Sequence, residues 1–148
     1  MPFMKKVSSE TALTADLAVA FQKQRAIVGR APAEMDLGRL AAARQEFTVL
    51  DEEMGNRIRD HITATPDPTA RAQVEAIATA LRAYADGPAK VFELAQMFAQ
   101  EDALQHLSGP VAEAQGAVDR VMTTVFENAR RAMPPPTPPP CKTAPARF

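Results

Sequence analysis

The chain contains no tryptophan, one cysteine (Cys141), one tyrosine (Tyr84), two histidines and six glycines in 148 residues. A lone thiol excludes an internal disulfide framework. His61 and His106 fall in different predicted helices, with no second histidine a turn away and no Glu-x-x-His pair, so the usual residues of a metal site are missing. Neither a Gly-x-Ser-x-Gly turn, a glycine-rich phosphate loop nor a Rossmann glycine pattern occurs. Cys141 sits among prolines with no fixed base beside it. The run Asp51-Glu52-Glu53 spreads around a helix, because neighbours lie about 100° apart, and reads as a solvated face. The chain is therefore expected to lack catalytic residues, metal ligands and cofactors.

Charge of one sign is also lacking. Seventeen Lys and Arg oppose eighteen Asp and Glu, a net −1, so no field draws the chain to nucleic acid or to an acidic membrane. No window approaches the roughly 20 apolar residues that span a bilayer. Ser8, Ser9, Glu10, Thr11, Thr14 and Asp16 interrupt the first segment, which reads as no signal peptide. The expected location of the chain as written is the cytoplasm.

What is present is a helical pattern, rich in alanine. Alanine favours the helix because it loses no side-chain entropy there, and it buries little area. Such composition suits closely packed helices. Four are predicted. The first runs from about Ser9 to Arg30, capped by Ser8 or Ser9, after a flexible N-terminus over 1–8. Leu13, Leu17, Ala20, Phe21, Ile27 and Val28 form its stripe. The second runs from about Asp36 to Thr63, with Leu37, Leu40, Phe47, Leu50, Met54, Ile58 and Ile62 on one face. Asp67-Pro68 is a start signal for the third, from Pro68 to about Leu107. Its stripe of Val74, Ile77, Leu81, Tyr84, Pro88, Val91, Ala95 and Phe98 stays in phase through Gly87-Pro88, which predicts one kinked helix. Ser108-Gly109-Pro110 reads as a corner, and the fourth helix follows from Pro110 to about Ala132. Seven of the 13 prolines then fall between Pro134 and Pro145, which predicts a disordered, proline-rich tail over 133–148. The predicted fold class is all-α, an antiparallel four-helix bundle with long helices.

The stretch QRAIVGRAPAEMDLGR, residues 24–39, joins the first two helices. Gly29 lets the chain leave the helix, Pro32 pushes Ala31 out of the α region, and Asp36 can start the next helix. A plain corner accounts for every residue type. The functional reading uses its arginines. Guanidinium groups recognise carboxylates in a bidentate way, so Arg25, Arg30 and Arg39 at one end of a bundle are the candidate clamp for a small anion.

From about Ala12 to Arg131 the chain resembles the four-helix-bundle sensor domain of bacterial methyl-accepting chemotaxis receptors. The residues that carry the likeness are AVAFQKQRAIVGRAPAEMDL, above all Gln24-Arg25 and Arg30-Ala31-Pro32-Ala33-Glu34 with Asp36-Leu37. The later run LRAYADGPAKVFELA adds a break in mid-helix. The resemblance implies a homodimer formed through helix faces, a small ligand, and signalling by a slight shift of one helix along its axis. It also implies a periplasmic setting between membrane segments. Those segments, the membrane-proximal linker and the methylated hairpin are not seen here, so a stand-alone or severed sensor module is expected. The competing expectation is a small cytoplasmic helical protein that dimerises or coats a surface, with no small-molecule ligand.

Overall fold

A computed structural model describes residues 2–132, with side chains over 11–131. The expected proline-rich tail lies outside the described residues. Within them the chain is an all-α, antiparallel four-helix bundle, and no strand is present. Helix α1 spans Pro2–Arg30, α2 Leu37–Ala64, α3 Pro68–Gln96, α4 Gln100–His106 and α5 Ala112–Ala132. A 3-10 turn, Ala31–Ala33, follows α1, and a π turn, Leu107–Val111, joins α4 to α5. Around the bundle α1 lies beside α2 and α5, and α3 completes the ring between the same two neighbours. The short α4 folds against α3 and the 3-10 turn, closing one end, here called the tip.

The helix starts follow from capping chemistry. Asp36 Oδ1 accepts from the Gly38 and Arg39 N–H groups at 2.8 and 3.1 Å. Asp67 accepts from the Thr69 and Ala70 N–H groups, with Pro68 at the first helical position, where no N–H partner is needed. Helix α3 runs unbroken through Gly87-Pro88, as the phase of its stripe predicts.

Three boundaries differ from the sequence reading. The first helix begins at Pro2, so Ser8 and Ser9 lie inside it and not at its start, and residues 2–8 are helical. The third helix ends at Gln96, eleven residues before the expected Leu107. The chain turns instead at Phe98, which adopts φ 59°, while the Phe98 and Ala99 N–H groups donate to the Ala95 and Leu94 carbonyls. That is the left-handed closure usual for glycine at a helix end. Ser108-Gly109-Pro110, expected as the corner, lies within the π turn. Pro110 has no N–H to give, and widening to an i→i+5 turn relieves its ring against the preceding carbonyls. The Ser108 hydroxyl donates to the Leu104 carbonyl at 2.9 Å and lies 3.4 Å from that of Gln105, back-bonding to the preceding turn.

The core follows the stripes. Leu17, Phe21, Val28, Leu40, Met54, Val74, Ile77, Tyr84, Val91 and Val118 are buried. Phe47 bridges two rings, 6.3 Å from Tyr84 and 5.8 Å from Phe92, and Phe21 meets Tyr84 edge-on at 5.2 Å. Burying each such ring contributes about 1.5–3 kcal/mol. Two stripe members are not in the core: Leu37 and Phe98, at the helix ends that form the tip, are exposed. The core also takes in Phe92 and Met122, which lie beside the predicted stripes.

Candidate functional site

A polar layer crosses the bundle at the level of the aromatic cluster, and each long helix contributes to it. Gln24 of α1 is fully buried, and its Nε2 donates to the Phe47 carbonyl of α2 at 3.1 Å. Gln115 of α5, also buried, lies with Nε2 3.4 Å from the Tyr84 hydroxyl of α3. Burial pushes the Tyr84 phenol above its ordinary range, and Gln115 and Arg25 offset part of that shift. Asp51 of α2 stands at the edge of this layer. Partial burial raises its carboxyl above the usual range, the Gln24 amide pulls it down, and Glu52 pushes it up again. The Oε1 atom of Gln24 is buried without a hydrogen-bond partner, as is Nε2 of His61. Buried amides are nearly always paired, so Gln24 is the layer's least satisfied member.

Asp51 also opens onto a groove of about 660 Å³ between α2 and α3. That volume lies in the ordinary range for small-molecule sites, roughly 300–1,000 Å³. Its floor is apolar: Ile58, Ile62, Ala78 and Leu81. Gly55, Ala78 and Ala85 keep it open, because small residues at facing positions leave the two helices without interdigitating side chains. Arg59 and Arg82 stand on opposite walls, with Thr63, Glu75 and Thr79 between them. Arg82 donates to the Thr79 hydroxyl at 3.3 Å, and Arg59 donates to the Asn56 side-chain oxygen. Among the described residues neither arginine pairs with a carboxylate.

The three arginines singled out from the sequence do not share a cavity. Arg25 faces α5, where Nη1 meets Asp119 Oδ2 at 2.9 Å, and its guanidinium lies 5.8 Å from the centre of the Phe21 ring. Arg30 donates back to the Ala26 carbonyl at 3.1 Å and borders shallow depressions with Glu46 between α1 and α2. Arg39 is exposed in the first turn of α2. Residues 25 and 30 are five steps apart, about 140° around the helix, which is why one looks at α5 and the other at α2. Arg59 and Arg82 were missed. Each reads as an ordinary solvent-facing arginine, and only the α2–α3 packing puts them on one groove. Among the described residues no group of His, Cys, Asp and Glu is arranged to hold a metal ion, and no helix is long and apolar enough to cross a membrane. The chain matches no family model, no curated protein and no solved structure.

Proposed function

We propose that this chain is a sensor-type helical bundle, similar to a chemoreceptor ligand-binding domain, that takes part in signal transduction by binding a small anionic ligand in the α2–α3 groove. The observation that carries the reading is the groove itself: an apolar floor between two helices, with two arginines on its walls that have no carboxylate partner among the described residues. A carboxylate bearing a short apolar body matches it, with Arg59 and Arg82 as the recognising groups in place of Arg25, Arg30 and Arg39. A ligand wedged between α2 and α3 bears on their relative position. Packed helices respond to such pressure by small axial slides between discrete arrangements.

The same reading proposes a homodimer through α1. Ala12, Ala15, Val19, Gln22, Ala26 and Gly29 are all exposed and follow one another at steps of three and four. With four Ala or Gly among the six, they form a seam on the outer face of the helix at the spacing by which two helices pack together.

Thermal denaturation against a panel of organic acids and amino acids tests the ligand. At least one compound is expected to raise the melting temperature by mass action, equivalent to about 2.7 kcal/mol at a hundredfold excess over Kd. Arg82→Ala combined with Arg59→Ala is expected to abolish that rise. A panel without a hit overturns the sensor reading in favour of an interaction protein. Sedimentation equilibrium tests the dimer, and Val19→Glu is expected to leave only monomer.

A further inference from the structure

We infer that the tip of the bundle, beyond the reach of the groove, is a docking surface for a protein partner that presents a basic amphipathic helix. Among the described residues seven large hydrophobic side chains are exposed, and five of them are here: Met35, Leu37, Met97, Phe98 and Leu104. They come from two separate segments, the α1–α2 connection and the α3–α4 corner. Gln100 Nε2 lies 3.1 Å from Met35 Sδ and ties the two together. Leu104 is one turn beyond Gln100 on α4, so it extends the same face. Clustered exposure of this kind marks an interaction surface, where scattered single residues do not. Two of the five are methionines, whose flexible thioethers adapt to a partner's shape.

Phe98 supplies an independent argument. Its φ of 59° is left-handed backbone, which disfavours any residue with a Cβ and most of all a bulky one. Glycine would close the helix there without strain. The chain instead spends that conformation on a ring left 51% exposed. A strained residue that holds an apolar group outward is the pattern of a recognition element.

Charge decides the partner. Within five residues of the patch members in sequence lie Glu34, Asp36, Glu93, Glu101 and Asp102, against Arg30 and Arg39, and the Arg30 guanidinium donates back to the Ala26 carbonyl. The acidic surplus favours a cationic segment, opposes a second tip of the same sign, and opposes an anionic lipid surface. An apolar strip flanked by Lys and Arg, read at helical spacing, satisfies both the patch and its rim.

The test uses the full chain and a fluorescently labelled synthetic helix with leucines at i, i+3, i+4 and i+7 and lysines on its flanks. Two controls accompany it: the same composition scrambled, and the same leucines with glutamate flanks. The lysine-flanked helix is expected to bind at least tenfold more tightly than either control, and more weakly as salt rises. Phe98→Gly combined with Leu104→Gln is expected to weaken it at least tenfold while the melting temperature holds or rises, since glycine relieves the backbone. Equal binding of all three peptides, or full binding by the double variant, overturns the inference. So does concentration-dependent self-association, or binding to phosphatidylglycerol vesicles, that the double variant removes, because the tip would then serve a second copy or a membrane. Neither the anion screen nor the α1 dimer assay touches these residues, so the outcomes are independent of the sensor reading.

Discussion

At Gly87, α3 lies so close to the π turn that a methyl group added to the glycine would come within 2.9 Å of Val111 Cγ2, whereas at Gly55, on the wall of the α2–α3 groove, nothing lies within 4 Å. Both glycines sit in helix interiors, and each costs its helix about 1 kcal/mol relative to alanine when nothing else intervenes. One is there because the Val111 side chain on the π turn needs its space. The other leaves space that no neighbour uses. The contrast separates the two seams of α3: against α5 it is packed to contact, and against α2 it parts into a groove below the aromatic cluster.

The largest test of this contrast is Tyr84→Ala, which removes the ring shared by Phe21 and Phe47 and leaves Gln115 without its hydroxyl. A loss of about 3–5 kcal/mol is expected in urea denaturation. A loss near 1 kcal/mol would show that the closed seam relaxes as freely as the open one. Gly87→Ala is expected to destabilise by about 1–2 kcal/mol, because overpacking against a buried, β-branched valine outweighs the gain in helix propensity. Pairing it with Val111→Ala should return part of that loss. Gly55→Ala should do the reverse and stabilise by about 0.5–1 kcal/mol, since its methyl meets nothing. If both glycine variants shift stability in the same direction, the two seams are not different in the way described.

The smallest expected effect is electrostatic. The Asp51 carboxyl is raised in the folded chain, so the native state holds its proton more tightly than the unfolded one. Its contribution is then favourable at low pH and is lost as pH rises from the ordinary value of 3.8 through the raised one. Asp51→Asn should flatten that slope and stabilise at neutral pH by less than about 1 kcal/mol, because the carboxylate also faces water in the groove. A stability profile between pH 3 and 7, unchanged by the substitution, would contradict the desolvation argument.

The helices that begin with a local signal were legible. Asp36 and Asp67-Pro68 carry their own capping chemistry, and the α3 stripe stays in phase through Pro88 without any knowledge of its neighbours. The α3–α4 corner was not legible, because the chain closes it with Phe98 and no glycine marks the place. Gly109-Pro110 imitates a corner for the opposite reason: the pair is common at helix ends, and only the wide turn reveals how a helix absorbs it. The site was less readable than the fold. Arg25 is claimed by Asp119, ninety-four residues away, and nothing near either residue announces the pairing. Gln24 is fully buried on a face where its polarity alone suggests a boundary. Arg59 and Arg82 acquire meaning only from the distance between two helices, which depends on small residues at facing positions.

The wide turn at Pro110 also settles how α4 meets the bundle. Eight residues of regular helix, at about 100° each, would leave Ala103 and Val111 some 80° apart around the axis. Both are nevertheless fully buried. By advancing less per residue, the turn absorbs the surplus rotation, so that the cap and the long helix beneath it present one inward edge. A proline that would break an ordinary helix acts here as a vernier, aligning two pieces of one rod that would otherwise point their apolar sides in different directions.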